Sequence, residues 1–200
     1  MRFTRIKTVL LPILALSLLA GLSGCGINKI PSYDEEAKAT WSQVLNQYKR
    51  RSDLIPNLVN TVKGYAAHEK EVLIGVTEAR SKVAQMQLPK DVLTNPEAFK
   101  NFQQSQDALG SSLARLMVVV ERYPALQANQ NFLALQSQLE GTENRIAVAR
   151  RDYILAVQRY NTEIRTFPGR IWHSILYSDM PLMETFTVSE AETQNPEVKF

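Results

Sequence analysis

Apolar residues recur every 3.5 positions from about residue 32 to residue 167, and no other feature constrains the fold of this chain as strongly. Such a repeat lines one face of a helix with side chains that pack against a neighbouring helix. The alternation of apolar and polar residues that marks a half-buried strand does not compete with it in this stretch. The repeat predicts an all-α protein, an elongated antiparallel up-and-down bundle of three to four long helices over residues 32–177.

The first apolar repeat continues through a proline without losing its frame. Its leading positions are Trp41, Tyr48, Ile55, Val62, Glu69, Val76 and Val83. An unbroken frame predicts one helix from about Ser32 to Gln87, kinked near Pro56 because proline removes a backbone hydrogen bond. The alternative divides this segment into two helices, with Ser52 or Asp53 capping the second.

Two more long helices follow, and local capping residues mark their ends. Asn95, Pro96 and Glu97 supply a cap, a first-turn proline and an acid for the helix dipole. Asn129 caps the last long helix, which extends to about Thr166. In that helix large residues on one stripe face small ones on the other, so a neighbouring helix can approach closely. The large residues are Phe132, Leu139, Ile146, Tyr153 and Tyr160, and the small ones are Thr142, Ala149 and Ala156.

The end of the chain divides into a short helix and a tail. Pro168 and Gly169 end the bundle, and the apolar spacing over residues 171–176 predicts a short amphipathic helix. Its Trp172 is expected to pack on the bundle, and a role as an interfacial membrane anchor is the alternative. Residues 178–200 hold several acidic and few apolar side chains, which predicts a disordered acidic tail.

The first 24 residues have the pattern of a secretory signal. Three basic residues precede an apolar run over residues 9–22, which is shorter than the roughly 20 residues that span a bilayer comfortably. The run ends in the tetrad Leu22, Ser23, Gly24 and Cys25, which resembles the bacterial lipobox. The sequence therefore predicts a cleaved lipoprotein signal peptide over residues 1–24, with an ordinary signal peptide that contains a cysteine as the alternative.

A lipobox implies that the thiol of Cys25 carries a diacylglyceryl group and that the new terminal amine is acylated. Two or three acyl chains hold a protein stably at a membrane, whereas a single chain does not. Residues 25–31 would then form a lipidated tether, and the membrane would be the first partner. The predicted location is the bacterial cell envelope. Gly26 favours the periplasmic face of the outer membrane if the host is Gram-negative.

Removing the signal peptide changes the charge balance of the chain. The whole chain has 23 basic and 20 acidic residues, and the signal peptide holds three basic residues and no acidic one. The remaining chain therefore has equal numbers of both. Nucleic-acid binding needs a concentration of basic residues that displaces counterions from phosphates, so no nucleic-acid partner is predicted.

The sequence lacks the residue patterns of common enzyme classes. Its two histidines are His68 and His173, and its single cysteine is the expected lipid site. It contains no metalloprotease, nucleophile-elbow or phosphate-loop motif. Neither histidine follows a glutamate at the spacing of di-iron bundles. No enzyme activity, metal or cofactor is predicted.

Polar and charged side chains interrupt the apolar seam. They are Arg51, His68, Glu69, Glu143, Arg150 and Glu163. Charges in a core need partners, because an unpaired buried charge strongly destabilises the fold. Three interpretations remain: an ion-pair network that fixes helix register, a small-ligand or cation site lined by the three glutamates, and a face that docks a partner. His68 is expected to be half-buried and hydrogen-bonded.

Several long segments resemble the LemA family, in the same order along the chain. They are RRSDLIPNLV at 50–59, VKGYA at 62–66, LEGTENRIAVARR at 139–151, and the pairs Tyr160-Asn161 and Phe167-Pro168. The resemblance covers about residues 33–177. It implies a membrane-associated helical bundle and no enzymatic activity that can be carried over.

The chain departs from the usual family pattern at both ends. Many members keep an N-terminal transmembrane helix, which a lipid would replace here, and the predicted acidic tail is longer than the usual C-terminus. The sequence favours a non-enzymatic, lipid-anchored scaffold or adaptor for a membrane or envelope protein partner. The alternative is a small-ligand or cation-binding module that uses carboxylates at the bundle seam.

Overall fold

A computed structural model describes residues 26–187, and over this range the chain is helical apart from turns and two irregular segments, residues 86–95 and 177–187. The helices are α1 (Lys29–Lys63), α2 (Lys70–Gln85), α3 (Pro96–Val120), α4 (Pro124–Gln127), α5 (Gln130–Arg165) and α6 (Gly169–Leu176). No strand occurs between residues 26 and 187, so the prediction of an all-α protein is confirmed. The predicted signal peptide and lipobox, Cys25 included, lie outside the described residues.

The first long segment is not one helix, and the predicted continuity to Gln87 is wrong. α1 contains Pro56 but ends at Lys63, and the chain turns over residues 64–69 before α2 begins. α2 folds back on α1, since Arg80 donates from Nε to the backbone oxygen of Ser52 at 3.0 Å. The alternative break at Ser52 or Asp53 is wrong as well, because both residues lie inside α1.

The turn over residues 64–69 leaves the apolar repeat undisturbed. Val62 before the turn and Val76 after it are two heptads apart, and both are fully buried. Gly64, a poor helix former, directly follows the last residue of α1. Ala66 is buried within the turn and donates its amide to the oxygen of Val62 at 2.8 Å. Because a hairpin of this length keeps the frame, periodicity alone does not distinguish it from a continuous helix.

The predicted N-caps of α3 and α5 are confirmed. The side-chain oxygen of Asn95 accepts from the amide of Ala98 at 3.1 Å. The side-chain oxygen of Asn129 accepts from the amide of Phe132 at 3.0 Å. The single turn of α4 lies between α3 and α5, and α5 ends one residue before the predicted Thr166. Local capping chemistry therefore located both helix starts.

α1 and α5 form the most extensive helix pair of the described chain. Their contacts join the start of one helix to the end of the other. Arg159 donates to Glu36 at 2.6 Å, and at the opposite end Asn129 donates to Tyr65 at 2.8 Å. The two helices therefore run in opposite directions. The small residues of α5 that were expected to face a neighbour are buried, namely Thr142, Ala149 and Ala156.

The interior contains two apolar clusters with a polar layer between them. One, here called the aromatic cluster, includes Trp41, Phe99, Phe102, Tyr153 and Phe186, and the seven contacting pairs among these rings have centroids 5.0 to 6.1 Å apart. The other, the aliphatic cluster, includes Ile55, Leu58, Leu109, Leu113, Leu116 and Leu139. Arg51 on α1, Gln106 on α3 and Thr142 on α5 are buried where each helix passes from one cluster to the other.

The segment over residues 178–187 packs against the bundle, so the predicted disordered tail does not begin at residue 178. Met183 and Phe186 are buried together with the aromatic cluster. Asn161 on α5 donates to the oxygen of Met183 and accepts from its amide, both at 2.9 Å. Residues 178–200 were predicted to be disordered because most of them are polar or acidic. Met183 and Phe186 are nevertheless buried against the bundle. Residues 188–200 lie outside the described residues.

The predicted short helix is confirmed as α6. Trp172 is partly buried and packs against the residues of the aromatic cluster, as expected.

α1 begins at Lys29 rather than Ser32, and Ile30 is fully buried, so the predicted tether over residues 25–31 is already helical from residue 29. Between residues 26 and 187, no helix is long and apolar enough to cross a membrane.

Candidate functional site

Arg51 occupies the centre of the polar layer. Its side chain is 4% exposed, although it lies between two apolar clusters. One terminal nitrogen, Nη2, donates to the backbone oxygen of Gln106 at 3.0 Å and to its side-chain oxygen at 2.7 Å. The other, Nη1, donates to Glu143 at 3.2 Å. The guanidinium thus joins α1 to both α3 and α5.

Aromatic packing completes the surroundings of this guanidinium. The central carbon of Arg51 lies 5.0 Å from the ring centre of Tyr48, one helical turn earlier on α1. Burial raises the pKa of the Tyr48 hydroxyl, while the nearby Arg150 and Arg51 act in the opposite direction. A planar cation stacked on a ring and forked onto fixed acceptors has little freedom to reorient. The arrangement fixes the relative positions of three helices rather than presenting a charge to a ligand.

Glu69 is placed at one end of the bundle, in the turn before α2. Tyr123 donates its hydroxyl to the Glu69 carboxylate at 2.9 Å, and Arg122 pairs with the same oxygen at 3.0 Å. The hydrogen bond to Glu69 raises the pKa of Tyr123. These contacts join the α1–α2 turn to the end of α3. Glu69 therefore stabilises a corner of the fold.

Glu163 lies at the opposite end, near the start of α1. Its carboxylate oxygen Oε1 is buried and makes no hydrogen bond within the described residues. A Cβ atom built on Gly26 would stand 4.0 Å from that oxygen, and one built on Gly169 would overlap the Glu163 backbone carbonyl. Only glycine fits at position 169, because the start of α6 touches the end of α5 there. Glu163 is thus a packing residue where the start of the described chain meets the turn between α5 and α6.

The three seam glutamates do not form a common site. Glu143 and Glu163 are 20 positions apart on α5, which corresponds to about 30 Å along a helix. Glu69 and Glu163 lie at opposite ends of the bundle. No group of three or more histidine, cysteine or acidic residues in residues 26–187 is placed to hold a metal ion. The predicted ligand or cation site lined by these glutamates is wrong.

The other two predicted seam residues also occupy separate places. His68 is exposed in the α1–α2 turn, so the expectation of a half-buried, hydrogen-bonded histidine is wrong. Arg150 is half-buried, and its guanidinium carbon lies 4.4 Å from the ring centre of Phe186. It covers the aromatic cluster and takes no part in the Arg51 hydrogen bonds described above. Of the six predicted residues, only Arg51 and Glu143 meet.

Sequence reasoning missed the residues that complete these contacts. Gln106 lies on the apolar stripe of α3, and a polar residue on such a stripe was the available signal for the Arg51 site. Tyr123 and Arg122 directly follow the α3 segment, and nothing in the sequence singles them out as partners of Glu69. Phe186 was assigned to a disordered tail. No pattern in the sequence links these residues to their partners, which lie far away along the chain.

The family model described as the LemA family matches residues 40–200 of the chain. The matched region therefore includes the segment after residue 177, which the sequence had suggested was a departure from the family. Part of this segment is the stretch that packs Met183 and Phe186 against the bundle. The C-terminal segment thus belongs to the region that the family model describes.

Three relatives show the extent of the similarity. The magnetosome protein MamQ 2 of Paramagnetospirillum magneticum is 30% identical over 153 residues, covering 68% of this chain and 56% of the relative. The magnetosome protein MamQ of Magnetospirillum gryphiswaldense is 26% identical over 178 residues, covering 80% and 65%. Protein LemA of Metamycoplasma hominis is 25% identical over 167 residues, covering 82% and 70%. The chain thus spans little more than half the length of the first of these relatives.

Proposed function

The chain belongs to the LemA family, and on this premise we propose that it is a membrane-attached, non-enzymatic helical scaffold or adaptor of the bacterial cell envelope. Its helices form an elongated antiparallel up-and-down bundle, about 50 Å long from the length of α1. A lipid on Cys25 holds one end of this bundle at the membrane. The other end is available to a protein partner.

The position of Gly26 is the observation that carries this proposal. Gly26 directly follows Cys25 and lies at the end of the bundle where α1 begins and α5 ends, beside Pro168 and Glu163. A lipid attached one residue earlier would therefore hold the bundle by its end rather than by its side. The opposite end, with the α1–α2 turn and α4, would then point away from the bilayer.

The contacts of the interior polar groups support a scaffold over an enzyme or a ligand-binding module. Arg51 is engaged by Gln106 and Glu143, and Glu69 is engaged by Tyr123 and Arg122. These side chains hold helices together, so recognition falls to the outer surface. Exposed apolar side chains toward the far end of the bundle, such as Ile74 and Val118, give a partner something to bind.

The lipid anchor is tested by labelling cells with a radioactive fatty acid. The natural chain should take up the label and sediment with membranes, and Cys25→Ser should do neither. A matched control moves the thiol to an exposed position nearby, in the double variant Cys25→Ser with Ser32→Cys. This control should remain unlabelled, since the thiol no longer follows the lipobox. Label retained by Cys25→Ser would refute the anchor.

The adaptor role is tested by crosslinking in intact membranes. A photoreactive residue is placed at Val118, which is 64% exposed, and separately at Val148 in the middle of α5 as a control. The proposal expects one defined protein adduct from position 118, lost when Cys25→Ser removes the anchor. Identical diffuse adducts from both positions, or none at either, would count against an adaptor that binds through its far end.

A further inference from the structure

α6 turns apolar side chains toward solvent. Trp172 packs inward, but the large residues on the other side of this helix and just before it are exposed. They are Phe167 (79% exposed), Ile171 (45%), Ile175 (66%) and Leu176 (50%). Four neighbouring apolar side chains of this size form an uncovered patch, here called the α6 patch. Such a patch on a soluble surface marks a site of contact with a partner or a membrane.

The α6 patch lies where the N-terminal part of the chain enters the fold. A Cβ atom built on Gly26 would stand 3.7 Å from the ring of Pro168, the residue between Phe167 and α6. Gly26 also has a φ of 105°, which favours glycine, and the 25 residues before it continue from this point. The described chain therefore begins beside the α6 patch, and a lipid on the residue before Gly26 would be attached next to it.

The charges around the α6 patch suit a phospholipid surface. Lys29 at the start of α1, Arg165 at the end of α5 and Arg170 on α6 are all exposed at this end of the bundle. Asp179, which follows α6, is an exposed acid nearby. Cations beside an apolar patch allow contact with lipid phosphates while the apolar side chains enter the interfacial layer.

We propose that the α6 patch inserts into the interfacial region of the bilayer to which the chain is attached. This inference rests on the proposed membrane attachment and specifies the surface that meets the lipid. α6 has eight residues, about 12 Å, so it lies along the membrane rather than crossing it. A lipid on residue 25 would bring the α6 patch to the lipid headgroups. A protein could bind the α6 patch only by taking the place of the bilayer there.

The test uses an environment-sensitive fluorophore on single cysteines in the mature, lipidated chain. Ile175→Cys reports the α6 patch and Val118→Cys is the matched control, because both side chains are similarly exposed and lie at opposite ends. The proteins are reconstituted into phosphatidylcholine vesicles with one-fifth phosphatidylglycerol and lipids carrying a quencher near the headgroup. Quenching should be several-fold stronger at position 175 than at position 118.

A second variant keeps the inference falsifiable if labelling disturbs α6. The double change Ile171→Glu with Ile175→Glu, read by a fluorophore at Leu176→Cys, should abolish quenching while leaving the melting temperature unchanged, because these side chains are exposed. Strong quenching that persists would overturn the inference. So would crosslinks through position 175 between two copies of the chain in place of quenching.

Vesicle flotation separates failure of this inference from failure of the proposed function. If the chain does not float with vesicles, membrane attachment itself is wrong, and the inference falls with it. If the chain floats and position 175 is no more quenched than position 118, attachment stands and the α6 patch is not the contact surface. Flotation with selective quenching at position 175 supports both.

Discussion

Arg51 illustrates how a charged residue is tolerated between two apolar clusters. Its guanidinium has acceptors from α3 and α5, and its partner Glu143 keeps part of its side chain in solvent. Burying a charge entails a large desolvation penalty, which the hydrogen bonds to α3 and α5 offset for Arg51 and which solvent exposure reduces for Glu143. The buried Gln106 depends on Arg51 to satisfy its side-chain oxygen.

Replacing Arg51 should therefore destabilise the fold through the acceptors that it leaves behind. Arg51→Met keeps much of the volume but leaves the buried side-chain oxygen of Gln106 without its donor, and we expect a loss of about 1–3 kcal/mol in the free energy of unfolding. The double variant Arg51→Met with Gln106→Leu should recover part of it. Urea denaturation measures both. An Arg51→Met protein as stable as the natural one would contradict this account.

Two glycines give opposite predictions for the same substitution. Gly169→Ala would place a methyl group against the backbone carbonyl of Glu163, so it should cost more than about 1 kcal/mol. Gly141→Ala lies within α5, and a Cβ there meets no atom of the described chain within 4 Å. This change should stabilise the helix by about 0.5–1 kcal/mol. Thermal melting of the pair compares them directly, and equal shifts would show that the α5–α6 corner is not tightly packed.

Among the elements, the segment over residues 178–187 differs most from its expected behaviour. It has no helix or strand of its own, yet α5 binds its backbone through side chains. Tyr160 donates to the oxygen of Pro181 at 2.9 Å and Tyr153 to that of Glu184 at 2.8 Å. Hydrogen bonds to the backbone hold the segment in place, and Phe186 fills space beside Trp41 and Phe99. The segment completes the aromatic cluster.

Phe186→Ala should accordingly behave as a core substitution. Phe186 is 7% exposed, so truncating it should lower the free energy of unfolding by about 3 kcal/mol. Thr187→Ala is the control, because this neighbour is exposed and its contact with Gln103 uses the backbone oxygen, which the change retains. Denaturant unfolding reads the difference. If the two variants were equally stable, the segment would not be part of the folded core.

At the scale of the whole molecule, the bundle has two dissimilar ends. One end joins the start of α1, the end of α5 and the exposed α6 patch, and it meets the N-terminal part of the chain. The other end contains the α1–α2 turn, α4 and the Glu69 contacts. The polar layer around Arg51 lies between the two apolar clusters. This asymmetry supports the proposal that one end is attached to the membrane and the other binds a partner.

The stability of the whole fold should decline at alkaline pH. Burial raises the pKa of Tyr160 from its ordinary 10.0 to about 12, and it raises the pKa of Tyr153 as well. Between pH 10 and 12 the unfolded chain binds fewer protons than the folded one, so the free energy of unfolding falls as the pH rises. The Tyr160 contribution is intact below pH 10 and decreases by about 2 kcal/mol toward pH 12.

The variant Tyr160→Phe isolates this contribution. It removes the titrating hydroxyl, so the free energy of unfolding should fall less steeply between pH 10 and 12 than in the natural chain. Tyr65→Phe is the control, since Tyr65 is 44% exposed at the other end of the bundle. Urea denaturation at several pH values measures the slope. Parallel slopes for the natural chain and Tyr160→Phe would show that Tyr160 does not govern alkaline stability.

The sequence by itself determined the features that depend on nearby residues. Apolar spacing gave the helical class, and the side chains of Asn95 and Asn129 marked the starts of α3 and α5 because capping acts within one turn. The small residues of α5 predicted which face is buried. The resemblance to the LemA family was evident from several segments that occur in the same order along the chain. The caps and the small residues of α5 each lie within a few positions of the helix start or the helix face that they predict.

Only the tertiary structure decided where the chain reverses and which distant groups meet. The turn over residues 64–69 keeps the heptad frame, so the repeat is the same with or without the hairpin. The pairing of Arg51 with Gln106, the separation of the seam glutamates and the burial of Phe186 depend on how helices are placed in space. A periodic pattern states which face of a helix is buried, and it carries no information about the partner that buries it.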